Sequence, residues 1–323
     1  MILLQSLLFC AGIAALYFGA EWLVKGASRF AYFLNIKPII IGLTIIAFGT
    51  SAPELVTGII SGIRNLNDIA IGNVIGSNIA NVGLVLGVTA IILPLKVEMN
   101  LLRREIPIII GISGLLYLMC RNGILSRWEG CLLVVGIVVY TCYISRSAKK
   151  ESKVIEEEFA DFISKKNTLS LDILFMFIGL TTLIGGAHLL VTSAIYLARN
   201  FGVSELVVGL SVVAVGTSLP ELAISTVAAF RKESDICVGN VLGSNIYNIL
   251  AVLGITAIIH PLQINTSSLQ FDMPVMIVFS LLLIPMIMRK FILTRWEGVF
   301  LLVGYIFYMI PKSCKQGKAL LQE

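Results

Sequence analysis

The sequence predicts an all-α integral membrane protein whose ten transmembrane helices form two inverted five-helix repeats. Three observations predict this class: the composition, the spacing of the apolar segments, and two motifs that each occur twice. Of the 323 residues, 57% are hydrophobic and only 13% are charged. In a typical soluble domain about 25% of the residues are charged. The composition therefore excludes an ordinary soluble domain and indicates a chain that lies largely in the bilayer.

Ten apolar segments are candidates for membrane-spanning helices, each of which needs roughly 20 mostly apolar residues. The first five and the last five correspond to each other in spacing, which indicates an internal duplication. Their approximate bounds are 3–24, 38–62, 71–95, 105–120, 127–145, 171–198, 205–230, 238–261, 272–290 and 296–312.

Two polar motifs occur in both halves at the same offset of 167 residues. Gly42–Leu55 and Gly209–Leu222 are identical at 9 of 14 positions, and Gly72–Gly87 and Gly239–Gly254 at 11 of 16. Each copy carries carboxyl, hydroxyl or amide groups within an apolar segment. A duplicated polar cluster in apolar surroundings is typical of a transport site built between two repeats.

The basic residues predict the orientation of the chain. With both termini outside, 17 of the 24 Lys and Arg residues lie on the cytoplasmic side, as the positive-inside rule requires. Because each repeat has an odd number of helices, the second repeat enters the membrane inverted relative to the first. The predicted division is a first repeat at 1–145, a cytoplasmic linker at 146–170 that is solvated or forms a short surface helix, and a second repeat at 171–323.

The first motif supplies oxygen atoms at a predicted helix break. Pro53 has no backbone N–H, so we expect a kink that leaves nearby carbonyl groups without intrahelical partners. Irregular backbone at membrane depth occurs where it is buried in protein or lines a cavity. The motif places hydroxyl and carboxylate oxygens beside this break in both halves, at Thr50, Ser51 and Glu54 and at Thr217, Ser218 and Glu221.

The second motif adds short polar side chains with helical spacing. Ser77 and Asn81 are four residues apart and share a helix face. Its glycines and amides are equally compatible with close packing between helices. The polar residues are Asn73, Ser77, Asn78 and Asn81, with Asn240, Ser244, Asn245 and Asn248 in the second half.

Glu54 and Glu221 are the residues that packing explains least. An ionised carboxylate at membrane depth is costly and marks a functional site. Neither motif contains Lys or Arg, so the natural counter-ion is a bound cation. Oxygen ligands without His or Cys favour a hard cation such as Ca²⁺. Two carboxylates balance one Ca²⁺ or two monovalent cations, which is a physical basis for exchange.

The paired GTSxPE and GNxxGSNxxN signatures resemble the two alpha-repeats of the sodium/calcium exchanger family, within the calcium/cation antiporter superfamily. The resemblance implies a secondary antiporter that exchanges Ca²⁺ for Na⁺ by alternating access around four sites at mid-membrane. It implies Glu54 and Glu221 as central ligands, completed by Asn81 and Asn248. It also implies that the ion sites are lined by Thr50, Thr217, Ser51, Ser218, Ser77 and Ser244 and by the carbonyl groups of Ala47 and Ala214.

One departure from the family leaves the coupled ions open. Many exchangers carry an acidic residue where this chain has Asn248. Exchange against H⁺, or a dependence on K⁺, on the same scaffold therefore stays an alternative, and a passive cation channel is a further one. No catalytic triad, His–metal cluster, phosphate loop or nucleic-acid motif is recognisable in the sequence. We therefore expect no enzyme activity, cofactor, ATP, nucleic acid or obligatory protein partner, and a location in the cytoplasmic (inner) membrane.

Overall fold

The computed structural model describes residues 2–34, 36–99, 101–158, 169–200 and 216–319. Six of its described helices are long and apolar enough to cross a membrane, and two further helices, bent by 41° at a short break, can form a seventh span. In chain order the helices are α1 (Ile2–Phe33), α2 (Pro38–Thr50), α3 (Ala52–Ile63), α4 (Asn67–Ile92), α5 (Ile106–Met119), α6 (Arg127–Glu158), α7 (Leu169–Asn200), α8 (Leu219–Phe230), α9 (Ser234–Ile259), α10 (Ser268–Met288) and α11 (Arg295–Ala319).

Each of the ten predicted segments overlaps at least one of these helices. The second segment is the broken span made by α2 and α3. The seventh segment is described from Gly216 onward and contains α8, because residues 201–215 lie outside the described part of the chain. The order and spacing of the helices therefore follow the prediction, with the break at the position where Pro53 required it.

Helix α6 extends well beyond its predicted end at residue 145. It continues to Glu158, and residues 159–168 lie outside the described part of the chain. Residues 146–158 contain neither Gly nor Pro, so nothing in the sequence ends the helix there. The first half of the predicted linker is therefore a helical extension of α6.

The described residues contain five π-helical segments, and one pair of them interrupts α4 and α9 at equivalent places in the two halves. Asn81–Leu86 interrupts α4, and Asn248–Leu253 interrupts α9. A π-helical turn inserts one extra residue and changes the direction of the side chains that follow, and such turns are frequent at functional sites. Each of these two segments begins at the last asparagine of the GNxxGSNxxN signature, Asn81 or Asn248. The sequence pattern did not predict these segments.

Helices α4 and α9 are the most buried spans and form the centre of the fold. Helix α9 packs closely against α2 of the other half through glycines of the motifs. A Cβ atom on Gly243 would lie 2.7 Å from the carbonyl oxygen of Leu43, and one on Gly42 would lie 3.0 Å from that of Ile236. The first motif of one half therefore lies beside the second motif of the other half.

Short strands connect the two halves in the loops. Strand β1 (Leu95–Lys96) pairs antiparallel with β4 (Ile292–Leu293), and β2 (Ile124–Leu125) pairs with β3 (Leu262–Gln263). Each pair contains one strand from each half. Backbone groups of the loops thereby find hydrogen-bond partners across the repeat boundary.

Helices α1 and α7 pack against each other through glycines at seven-residue spacing. A Cβ atom on Gly19 would lie 2.6 Å from the Leu183 amide nitrogen, and one on Gly179 would lie 2.6 Å from that of Leu23. Close backbone approach at small residues is typical of helix pairs in membranes. The outer faces of both helices expose large apolar side chains such as Leu7 and Phe177, which suits contact with lipid.

Candidate functional site

The break between α2 and α3 places a carboxylate at a helix N-terminus. Pro53 is the second residue of α3 and Glu54 is the third. Proline is tolerated in the first helical turn because the N–H groups there have no intrahelical partner. Helix α8 repeats this arrangement with Pro220 and Glu221. The positive end of each helix dipole favours the negative charge of its glutamate.

The carbonyl group of Ala47, which the resemblance implies as an ion ligand, keeps its intrahelical partner. Its carbonyl oxygen accepts hydrogen bonds from the Ser51 amide at 3.0 Å and from the Thr50 hydroxyl at 3.3 Å. The kink therefore does not extend one turn upstream to Ala47, which retains its helical bond. The equivalent residue, Ala214, lies outside the described residues.

Both carboxylates are completely buried, at 0% exposure. The Ser77 hydroxyl donates to Oε1 of Glu54 at 3.4 Å, whereas Oε2 of Glu54 and both carboxylate oxygens of Glu221 have no hydrogen-bond partner among the described residues. The ion pairs found among the described residues involve other acids, namely Asp172, Glu98 and Glu21. The two carboxylates are close enough to repel each other. The arrangement therefore places two carboxyl groups without a basic partner among the described residues inside the protein.

Hydroxyl groups from opposite halves meet beside the carboxylates. Thr50 lies 3.2 Å from the Ser244 hydroxyl, and Ser77 lies 3.4 Å from the Thr217 hydroxyl. The Thr50 hydroxyl also lies 3.2 Å from Oδ1 of Asn240. A hydroxyl has one proton to donate and two lone pairs, so each pair keeps oxygen lone pairs available to a further partner.

Four asparagine side chains join α4 to α9 at the same level. Nδ2 of Asn81 donates to Oδ1 of Asn245 at 3.0 Å, and Nδ2 of Asn248 donates to Oδ1 of Asn78 at 3.1 Å. Oδ1 of Asn81 and Oδ1 of Asn248 are buried and have no partner in the part of the chain that the structure describes. Asn78, Asn245 and Asn240 contact the predicted ligands, yet sequence reasoning did not select them as site residues. Their only signal was membership of the duplicated motif.

Among the described residues, Ser77 contacts both Glu54 and Thr217, Thr50 contacts Ser244, and seven oxygen atoms of the predicted site residues are buried without a partner. Buried polar atoms without a partner are rare in proteins, and each calls for an explanation. All of these atoms are oxygens, which are the ligands that hard cations such as Ca²⁺ prefer. The set consists of Oε2 of Glu54, Oε1 and Oε2 of Glu221, Oγ of Ser51 and Ser218, and Oδ1 of Asn81 and Asn248.

A broken-helix, oxygen-lined, negatively charged centre shared by two repeats defines the class: an integral membrane transporter with a cation site at the repeat interface. The particular family follows from the sequence. Residues 4–146 and 171–312 match the family described as sodium/calcium exchanger protein. The chain belongs to this family, and the match leaves out the segment between the two halves.

Relatives and solved structures cover nearly the whole chain. The chain is 34% identical to the sodium/calcium exchanger MaX1 of Methanosarcina acetivorans, over 96% of this chain and 99% of the relative. It is 33% identical to the inner membrane protein YrbG of Escherichia coli, over 95% and 96%. A structure of the sodium-calcium exchanger NCX_Mj superimposes with a TM-score of 0.83 at 32% identity, covering 96% of this chain and 99% of that one. The predicted all-α fold of ten membrane helices in two inverted repeats is confirmed by this similarity.

Proposed function

We propose that the chain is a secondary antiporter that exchanges Ca²⁺ for Na⁺ across the cytoplasmic membrane by alternating access. The observation that carries this proposal is the pair of buried carboxylates, Glu54 and Glu221, with three of their four oxygens unpartnered. The names of the relatives MaX1 and NCX_Mj support Na⁺ and Ca²⁺ as the exchanged ions.

The ligand roles follow from the positions of the oxygens. Glu54 and Glu221 neutralise the cation charge at the centre, and the oxygens of Asn81 and Asn248 complete it. The flanking positions are supplied by hydroxyls that meet across the halves, so closing or opening one half against the other changes the ligand set. We assign these flanking roles to Thr50, Thr217, Ser51, Ser218, Ser77 and Ser244 and to the carbonyl groups of Ala47 and Ala214. The Ala47 oxygen would use its second lone pair.

The topology proposal places both termini outside and the segment 146–170 in the cytoplasm, between a first repeat at 1–145 and a second at 171–323. The charge distribution supports it, because 17 of the 24 basic residues then lie inside. The family match, which ends at residue 146 and resumes at residue 171, supports the same division.

The test is ⁴⁵Ca²⁺ uptake into proteoliposomes that contain the purified protein. We expect uptake driven by an outward Na⁺ gradient and little uptake when only a K⁺ or pH gradient is imposed. Uptake that follows the pH gradient without Na⁺ would identify a proton exchanger, and uptake that requires K⁺ as well as Na⁺ would identify a K⁺-dependent one. Uptake that needs no counter-ion would identify a channel and refute the proposal.

A further inference from the structure

The asparagine cluster at the centre consists of Asn78, Asn81, Asn245 and Asn248. Two of its side chains donate hydrogen bonds to backbone carbonyl groups, and these bonds fix the orientation of the two amide groups. Nδ2 of Asn78 donates to the carbonyl oxygen of Asn245 at 3.3 Å, and Nδ2 of Asn245 donates to the carbonyl oxygen of Asn78 at 3.4 Å. Both side chains are at most 1% exposed. Each asparagine therefore donates to the backbone of the opposite helix, and the two bonds join α4 to α9 across the repeat boundary.

These backbone bonds determine which end of each amide faces which neighbour. A carbonyl oxygen only accepts hydrogen bonds, so Asn78 must turn its NH₂ group toward the Asn245 backbone. Its Oδ1 atom then faces Asn248, which must in turn present its own NH₂ group. The Oδ1 atom of Asn248 is thereby left on the remaining side, where it is buried and unpartnered. Rotating the Asn78 amide by half a turn would bring its Oδ1 atom against the Asn245 carbonyl oxygen, so that two acceptors face each other. The same rotation would bring its NH₂ group against that of Asn248, so that two donors face each other.

Equivalent hydrogen bonds fix the amide orientations of Asn245 and Asn81. Asn245 turns its NH₂ group toward the Asn78 backbone and its Oδ1 atom toward Nδ2 of Asn81. Oδ1 of Asn81 is the atom left buried without a partner. An amide without such a constraint can present its NH₂ group, whose partial positive charge repels a cation, as readily as its oxygen.

We propose that Asn78 and Asn245 are positioning residues that hold the side-chain oxygens of Asn248 and Asn81 toward the bound cation. This inference deepens the proposed function and rests on it, because it assigns an orienting layer behind the cation ligands. Asn78 acts through Asn248, and Asn245 acts through Asn81. Neither positioning residue needs to touch the ion.

The test is a pair of double-mutant cycles read by Ca²⁺ affinity, measured by calorimetry on the purified protein. We expect Asn78→Ala to weaken Ca²⁺ binding about three- to tenfold, the range set by one buried hydrogen bond. In an Asn248→Ala background the same substitution should have almost no further effect, because the residue it positions is gone. Asn245→Ala and Asn81→Ala should show the same dependence.

The matched control is the pair Asn78 and Ser51, because the Ser51 hydroxyl is a proposed ligand that has no hydrogen-bond partner among the described residues and therefore shares none with Asn78. The fold-losses in Ca²⁺ affinity that the two single substitutions cause should multiply, or nearly so, in the double variant. A merely structural role for Asn78 would lower the folded fraction, and therefore the number of binding sites per molecule, and would do so equally in the Asn248→Ala background. If Asn78→Ala does not fold, the cycle of Asn245 and Asn81 decides.

Two failures are distinguishable in this experiment. If the wild-type protein binds Ca²⁺ and the fold-losses in Ca²⁺ affinity multiply in both cycles, the positioning role is overturned and the proposed function stands. A folded wild-type protein that binds no Ca²⁺ would overturn the proposed function itself, and the positioning role with it.

Discussion

Replacing either central glutamate by glutamine should abolish calcium exchange while leaving the protein folded. Glu54→Gln and Glu221→Gln keep the shape of the side chain and remove one of the two charges that balance Ca²⁺. Breaking a buried charge pair in this way costs about 3–5 kcal/mol, which corresponds to a loss of roughly 150- to 5,000-fold in affinity. The ion-free protein should not be destabilised, because each substitution removes a buried charge that pairs with no basic residue in the described ranges.

Both variants should also raise the thermal midpoint of the ion-free protein. Ser77 lies beside Glu54, and Thr50 and Ser244 lie beside Glu221, so each carboxylate has hydroxyl neighbours but no basic partner among the described residues. A glutamine at either position removes the buried charge and can still accept from these hydroxyl groups. The measurements are ⁴⁵Ca²⁺ flux per folded molecule, calorimetric Ca²⁺ binding, and thermal unfolding without ions.

Two glutamates outside the site serve as matched controls. Glu129 accepts hydrogen bonds from the amide and hydroxyl of Ser126, and Glu297 accepts them from those of Thr294. These are capping boxes, in which glutamine replaces glutamate with little loss. Glu129→Gln and Glu297→Gln should therefore leave flux close to that of the wild type. Normal flux in Glu54→Gln or Glu221→Gln would show that the duplicated motif maintains the fold and does not carry the ion.

Three further predictions follow from the topology and the site. Because the segment 146–170 is proposed to lie in the cytoplasm, cysteines introduced into it should be protected from a membrane-impermeant reagent in intact cells. Cysteines introduced into the C-terminal tail should react. Labelling of the segment from outside would refute the topology. Lowering the pH from about 8 to about 5 should inhibit Ca²⁺ uptake, because protonating Glu54 or Glu221 removes a charge that the cation needs; a flat profile would contradict this. Asn248→Asp should change the dependence of exchange on Na⁺ and K⁺, because an aspartate lacks the NH₂ group that donates to Asn78; unchanged coupling in flux assays would place residue 248 outside the site.

The sequence predicted the elements of the site because they are duplicated. Two copies at a fixed offset distinguish Glu54 and Glu221 from ordinary polar residues, and Pro53 marks the break that α2 and α3 show. What the pattern could not supply is the pairing between halves. Thr50 meets Ser244, and the sequence separation of 194 residues leaves no local signal for that contact.

The local backbone of the second motif was also beyond the sequence pattern. A regular helix was expected through Ser77 and Asn81, with both on one face. In the structure Ser77 contacts Glu54, whereas Asn81 begins a π-helical segment and contacts Asn245. A π-helical turn is stabilised by tertiary packing and not by the hydrophobic period, so the sequence has no pattern that marks it. The orienting role inferred for Asn78 and Asn245 depends on this geometry.

The charge at the centre explains why such a site should exchange ions and not leak them. Among the described residues, the centre contains two carboxylates without a basic partner, and Asn248 adds no third charge. One Ca²⁺ or two Na⁺ neutralise this pair, whereas a third Na⁺ would leave one positive charge. An empty centre in which both carboxylates stay ionised keeps two negative charges away from water, at a cost of several kcal/mol per ion. The loaded protein therefore crosses between its two open states more readily than the empty one, and this difference couples the movement of one ion to the return of the other.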